Sequence, residues 1–134
     1  MKQKLGEDTI KALVSYRMQR AKETLKEADT LIKTAFYNAA VNRLYYACYY
    51  AIIALLLKNN ILANTHTGVK QMFGMHFIMT SRMNNKYSKF YTQLFNARMS
   101  GDYDDFLWYD LEMLSELYPQ AEEFINAVDS ELNK

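Results

Sequence analysis

The sequence predicts an all-α protein, an up-and-down helical bundle of about five helices. Residues 44–57 are fourteen consecutive positions without a charge, Pro or Gly. This run is too short to cross a bilayer, which takes about 20 apolar residues, and it is long for a strand. Apolar residues recur at steps of three and four on both sides of it. A chain of 134 residues can bury a core as one domain over 1–134, with residues 1–7 expected to fray.

The central element is a helix over residues 36–58, FYNAAVNRLYYACYYAIIALLLK. Alanines and leucines favour a helix here over a strand. Because the segment is apolar on nearly all sides, we expect other helices to cover most of it. Its lone Cys48 excludes an intramolecular disulfide and is interpreted as inert core packing.

A long first helix precedes it, with Asp8 or Thr9 as the expected N-cap. Its charged residues lie mostly off the apolar stripe and are interpreted as solvated. A short break over 34–37 predicts a tight αα-hairpin. The apolar stripe consists of Ile10, Leu13, Val14, Met18, Ala21, Leu25, Ala28, Leu31, Ile32 and Ala35.

Asn59 and Asn60 are expected to end the central helix, since Asn tolerates the left-handed cap conformation. A short third helix follows, capped by Thr65 or Thr67. Gly74 within it costs roughly 1 kcal/mol relative to Ala and predicts a close approach to another helix.

A fourth helix is predicted over about 86–99, stopped by Ser100 and Gly101 before an acidic turn at 102–106. The last segment is predicted to be helical from about Asp110. Pro119 either kinks that helix or splits it in two, because proline cannot donate to the backbone ladder.

The net charge of +1 hides a strong segregation. Residues 30–101 carry eight basic residues and no acid, whereas residues 102–134 carry ten acids and one lysine. Either the acidic end packs against the basic middle, or the middle forms a positive surface for a polyanion or an acidic partner. No signal peptide, transmembrane segment, cofactor motif or metal-ligand set is recognised, and a cytoplasmic location is expected.

Three ordered motifs resemble those of the HEPN superfamily, and more narrowly of its UPF0332 branch. They are A-x-N-R-x-Y-Y-A at 40–47, His-x-Gly-Val at 66–69 leading to Phe73, His76 and Phe77, and Arg-x-x-x-Asp-Tyr at 98–103. Ala121-Glu122-Glu123-Phe124-Ile125 also fits this branch. The resemblance implies a dimerising helical bundle, often paired with a minimal nucleotidyltransferase in a toxin–antitoxin-like system.

Members of that superfamily that cut RNA are implied to use an Arg followed after four to six residues by His. Only the Arg carries over, onto Arg98, because Tyr103, Asp104 and Asp105 occupy the positions of the His. Tyrosine, with a pKa near 10, is a poor base at neutral pH, and carboxylates repel a phosphate backbone. Asp102 adds a further carboxylate and could instead pair with Arg98. The pattern therefore argues against a standard ribonuclease centre.

Several other residues are candidates for binding. Asn42 and Arg43 are the strongly polar groups of the central helix, and a cluster with Arg98 and Asp102 would be either structural or functional. His66 opens a helix, where it can cap or bind an anion. The tyrosines at 45, 46, 49 and 50 form either core and dimer interface or a base-stacking ladder. The binding candidates are Arg98, Asp102, Tyr103, Asn42, Arg43, Tyr46 and His66.

Three hypotheses follow. The leading one is a homodimeric, non-catalytic HEPN-like module that acts with a nucleotidyltransferase-like protein, nucleotide or RNA. The second is a metal-independent endoribonuclease toxin that uses Arg98, with His66 as a substitute base. The third is a purely structural interaction domain without nucleic-acid contact.

Overall fold

A computed structural model describes residues 6–103 and 109–134, apart from the side chains of 99–103. Five α-helices follow one another, and a π-helical turn over Gly74–Ile78 continues the third. No strand occurs in these ranges, so the all-α prediction is confirmed. The helices are α1 Glu7–Lys33, α2 Tyr37–Lys58, α3 His66–Phe73, α4 Asn85–Tyr103 and α5 Leu111–Leu132.

Helix α2 forms the centre of the fold, as its composition predicts. It packs against α1, α3, α4 and α5. Burial raises the pKa of the Cys48 thiol, which favours the inert, protonated form. Within the described ranges α2 is also the one helix that could span a membrane by length and composition, but 61% of that stretch is buried in the bundle, as befits a core helix. The fully covered residues of α2 include Ala40, Leu44, Tyr45, Ala47, Cys48, Ala51, Ile52, Ala54 and Leu55.

The α1–α2 hairpin is as tight as predicted, but the start of α1 differs from the expectation. Gly6 is the N-cap residue and no side chain caps the helix, so the predicted cap at Asp8 or Thr9 is wrong. Both residues lie inside α1. There the carboxylate of Asp8 interacts favourably with the positive end of the helix dipole. Helix α1 begins at Glu7.

Thr65 is the N-cap of α3, with its Oγ1 accepting a hydrogen bond of 2.8 Å from the Gly68 amide. This cap fixes the start of the helix at His66. The close approach predicted at Gly74 is wrong, because a Cβ built there would meet no atom within 4 Å. Gly74 instead begins the π-helical turn.

Helix α4 passes through the predicted stop at Ser100 and Gly101 and continues to Tyr103. A glycine inside a helix costs only about 1 kcal/mol, which is too little to end a helix that its flanking residues support. The turn predicted at 102–106 begins with two helical residues, and its remainder lies outside the described residues. Pro119 lies inside one continuous α5, so the alternative of two separate helices is wrong.

Helix α5 brings acidic residues onto the basic middle of the chain. Glu123 pairs with Lys86 at 2.6 Å, and Glu131 lies 3.0 Å from Arg82. Asp129 reaches Lys22 of α1 at 3.3 Å. The acidic end therefore neutralises part of the basic segment, and this part lies around the start of α4.

Candidate functional site

Four tyrosines of α2 gather their rings on one side of the helix, since positions three or four apart share a face. Tyr45 is fully buried, whereas Tyr46, Tyr49 and Tyr50 are half-buried. The ring centroids of Tyr45 and Tyr46 are 5.2 Å apart, and Tyr50 lies 6.0 Å from both Tyr46 and Tyr49. Such spacings are typical of packed aromatic pairs. Three of the four rings are therefore partly exposed at the surface of the bundle.

Arg98 of α4 lies over these rings. Its guanidinium carbon is 5.4 Å from the ring centroids of both Tyr45 and Tyr46. Its Nη2 also donates a hydrogen bond of 3.1 Å to the Tyr46 hydroxyl. Stacking and hydrogen bonding together orient the planar group, which is suited to the oxygens of phosphates and carboxylates.

His66 of α3 packs on the same aromatic surface. Its ring stacks on Tyr49 at 4.5 Å, and its Nδ1 lies 2.8 Å from the Tyr45 hydroxyl. Burial lowers the pKa of His66, and the positive charge of Arg98 lowers it further. The imidazole is therefore neutral at pH 7. We define the arginine–tyrosine face as Tyr45, Tyr46, Tyr49, Tyr50, His66 and Arg98.

A buried hydroxyl pair favours the His66 tautomer that holds its proton on Nε2. Tyr91 of α4 is 1% exposed and donates to the Tyr45 hydroxyl at 3.3 Å. Burial raises the pKa of Tyr45 to about 12 and that of Tyr91 as well, so both phenols keep their protons. The Tyr45 proton is then directed to Nδ1, and the proton of the neutral ring resides on Nε2.

This arrangement makes His66 a hydrogen-bond donor. Nε2 makes no hydrogen bond to any residue that the structure describes, so its N–H is available to a ligand. A general base would instead need an open lone pair, and the lone pair on Nδ1 is taken by Tyr45. The face thus carries an imidazole N–H and a guanidinium, and both are donor groups of the kind that bind oxyanions.

The seven candidate binding residues predicted from the sequence fall into three groups. Tyr46, His66 and Arg98 come together on the face. Asn42 and Arg43 bond mainly to each other, since the Asn42 Oδ1 accepts from Arg43 at 2.9 Å. Arg43 lies 3.7 Å from Glu27 of α1, and 5.2 Å from the ring of Tyr46. The ring of Tyr46 is therefore what links this pair to Arg98. The remaining two candidates, Asp102 and Tyr103, have side chains outside the described residues, as do Asp104 and Asp105.

Two arginines of α1 also lie against these tyrosines, which the sequence pattern does not predict. Arg17 lies 5.7 Å from the ring of Tyr16 and 6.0 Å from that of Tyr50, and Arg20 lies 5.7 Å from Tyr50. The position of both arginines off the apolar stripe predicts solvated charges. Their i, i+3 spacing on a helix that neighbours four tyrosines was the available signal.

The described residues were also compared with the requirements of a metal site and of a ligand pocket elsewhere in the fold. No group of three or more His, Cys, Asp or Glu side chains there could hold a metal ion. A groove of about 990 Å³ lies between α1 and the ends of α2 and α5. Lysines at 11, 22, 26 and 58 line it, and it shares no residue with the arginine–tyrosine face.

The fold and the site define a small all-α bundle domain that holds an arginine on an aromatic surface. The chain belongs to the HEPN domain family, whose family model matches residues 14–131. The resemblance drawn from the sequence motifs is therefore confirmed.

Curated relatives agree with this assignment. The chain is 34% identical over 117 residues to a UPF0332 protein of Thermotoga maritima, covering 87% of this chain and 89% of that protein. It is 31% identical over 134 residues to "Putative toxin MJ0605" of Methanocaldococcus jannaschii, covering 100% and 98%. A second protein of that organism, "Putative toxin MJ0142", is 32% identical over 104 residues, covering 78% and 71%.

Proposed function

We propose that this chain is a cytoplasmic, homodimeric HEPN module that binds RNA or a nucleotide on its arginine–tyrosine face without cutting it. It works with a nucleotidyltransferase-like partner in a toxin–antitoxin-like pair. One observation carries the binding role: the guanidinium of Arg98 and the N–H of His66 share an aromatic surface. The toxin names of two relatives support the toxin–antitoxin setting.

The charge and the aromatic rings of the arginine–tyrosine face both suit a nucleic acid or a nucleotide. Nucleic acids and nucleotides combine phosphate oxygens with flat bases, and proteins hold them with cations and aromatic rings. Arg98 supplies a forked donor, while Tyr46, Tyr49 and Tyr50 keep part of their rings at the surface. His66 adds a neutral donor beside that charge. All these groups belong to three packed helices, so the site needs little ordering on binding.

A ribonuclease toxin is the second candidate, because His66 supplies an imidazole beside Arg98 that the motif around Arg98 lacks. RNA cleavage requires a group that takes the 2′-hydroxyl proton while Arg98 stabilises the charge on phosphorus. The bond from Tyr45 to Nδ1 opposes this role, since it leaves His66 with a proton to give rather than a lone pair to offer.

One experiment separates the two. Purified protein is mixed with labelled single-stranded RNA in EDTA, and both bound fraction and cleavage are followed over a series of salt concentrations. We expect binding without cleavage, with log K falling as log salt rises. Arg98→Ala should weaken binding by about tenfold or more, as expected for a charge-assisted contact. Lys89→Ala, which removes an exposed charge from the same helix, is the matched control.

Each outcome has a meaning. Cleavage in EDTA that Arg98→Ala abolishes would establish the ribonuclease and refute the binding module. No binding and no cleavage would favour a structural interaction domain. Light scattering at micromolar concentration tests the dimer separately, and a monomer there would refute that part of the proposal.

A further inference from the structure

Arg17 and Arg20 of α1 stand on the side of the bundle where the tyrosine ladder reaches α1. The two guanidinium carbons lie 6.0 and 5.7 Å from the ring of Tyr50. The Nε of Arg17 is buried and has no hydrogen-bond partner among the described residues. Because this nitrogen is closed to solvent, a ligand oxygen would have to reach Arg17 through the remainder of its half-buried side chain.

The charges of the two arginines differ in how they are balanced. Arg20 donates to Glu23 at 3.0 Å, and this hydrogen bond is the main reason why its pKa is raised. Arg17 forms no ion pair within the described ranges, although its side chain is half-buried against Tyr16 and Tyr50. A half-buried cation opposed only by aromatic faces attracts an anion.

Tyr49 links this region to the arginine–tyrosine face. Burial raises the pKa of Tyr49, while Arg17 and Arg98 each oppose that shift. Both cations are therefore close enough to act on one phenol, Arg17 from α1 and Arg98 from α4. Between them the rings form an unbroken path, with His66 4.5 Å from Tyr49 and Tyr49 6.0 Å from Tyr50.

We propose that Arg17, against the ring of Tyr50, forms a second phosphate subsite, and that the ligand of the whole face is single-stranded RNA rather than a mononucleotide. This inference rests on the proposed binding function. One phosphate binds Arg98 and His66, and another binds Arg17. Bases between the two phosphates stack on the half-exposed tyrosines. A duplex does not fit, because its bases are stacked on each other and do not present their faces to a protein.

The test compares three probes by fluorescence anisotropy or competition: a single-stranded RNA of ten nucleotides, a hairpin of the same composition, and AMP. Arg17→Ala should weaken binding of the single strand by about tenfold and reduce its salt slope by about 0.7 to 1. It should weaken competition by AMP far less, because AMP carries one phosphate and can still bind at the Arg98 subsite. Arg98→Ala should weaken binding of both.

Lys26→Ala is the matched control, since Lys26 is an exposed cation of α1 that lines the separate groove. Arg17→Lys guards against misfolding: it should preserve most of the salt slope while losing affinity, because lysine keeps the charge but not the fork. Circular dichroism checks that each variant folds.

Two failures are distinguishable. If the wild type binds the single strand and only Arg98→Ala weakens it, with Arg17→Ala equal to Lys26→Ala, the second subsite is refuted and the proposed function survives. Equal affinity for hairpin and single strand would likewise refute the choice of ligand. If the wild type binds none of the three probes, both proposals fail.

Discussion

The hydroxyl of Tyr45 lies 2.8 Å from Nδ1 of His66 and joins the buried core to the surface of the site. Tyr45 is fully buried on α2, and His66 is the first residue of α3. Tyr91 of α4 completes the row by donating to Tyr45. Two hydrogen bonds therefore link α4, α2 and α3, and the chain of bonds ends at the imidazole of His66.

Tyr45→Phe should destabilise the protein by about 1 to 3 kcal/mol, because it leaves the buried Tyr91 hydroxyl without its acceptor. The free energy of unfolding in urea measures this loss. The double variant Tyr45→Phe, Tyr91→Phe should be less destabilised than the sum of the single variants, since removing both partners leaves no orphaned hydroxyl. Strict additivity would show that the two phenols do not interact.

The free energy of unfolding should depend on pH in the range where His66 titrates. Its pKa in the folded protein lies below the ordinary value, so the unfolded state binds the proton more readily. The stability that neutral His66 contributes is fully present above about pH 6.5, and it is lost as the pH falls through the pKa of His66 in the folded protein. NMR titration, assigned with His66→Gln, should show that Arg98→Ala raises this pKa and Lys89→Ala does not. An unchanged value in Arg98→Ala would mean that the two groups do not sense each other.

The sequence was sufficient to predict the architecture because α2 has an unambiguous composition. A fourteen-residue uncharged run rich in Ala and Leu can hardly be anything except a covered helix. Boundaries were harder to predict where several weak signals competed. Gly101 costs a helix little, so α4 continues through it, and Gly6 serves as the N-cap although Asp8 and Thr9 are better capping residues.

The site was predictable only in part, for a physical reason. Arg98 and His66 are 32 positions apart, and only the tertiary fold brings both onto the ladder of α2. Their shared environment could not be read from local periodicity. The role of Arg17 was hidden in the same way, because its neighbour Tyr50 belongs to the next helix. Local sequence patterns show which face of its own helix a residue occupies, but they do not show which residues of other helices pack against that face.

Thr65→Ala should loosen the start of α3 and with it the position of His66. The Thr65 hydroxyl accepts from the Gly68 amide at 2.8 Å, and losing such a cap costs about 1 kcal/mol. Urea unfolding should show this loss, and RNA binding should weaken as well because His66 is the next residue. Thr67→Ala, an exposed threonine within the same turn, is the control. Equal effects of the two variants would refute the role of the cap.

Glu131 is the most deeply buried acid among the described residues of α5. Its side chain is 5% exposed and lies 3.0 Å from both Arg82 and Lys134. Burial alone would raise the pKa of Glu131, but the hydrogen bonds from Lys134 and Arg82 outweigh it and the pKa is lowered. The stability from this carboxylate is therefore present above its ordinary pKa of 4.5 and is lost as the pH falls through the folded value.

Glu131→Gln should cost about 1 to 2 kcal/mol at pH 7, toward the low end for charged hydrogen bonds because both cations remain partly exposed and can rehydrate. The loss should shrink as the pH falls through the folded pKa of Glu131, which lies below 4.5, because the wild-type carboxylate then becomes protonated as well. Glu123→Gln, which breaks a pair exposed on both sides, is the control and should change the free energy of unfolding little. A loss for Glu131→Gln that stays constant from pH 7 to pH 3 would show that packing, and not charge, accounts for the effect.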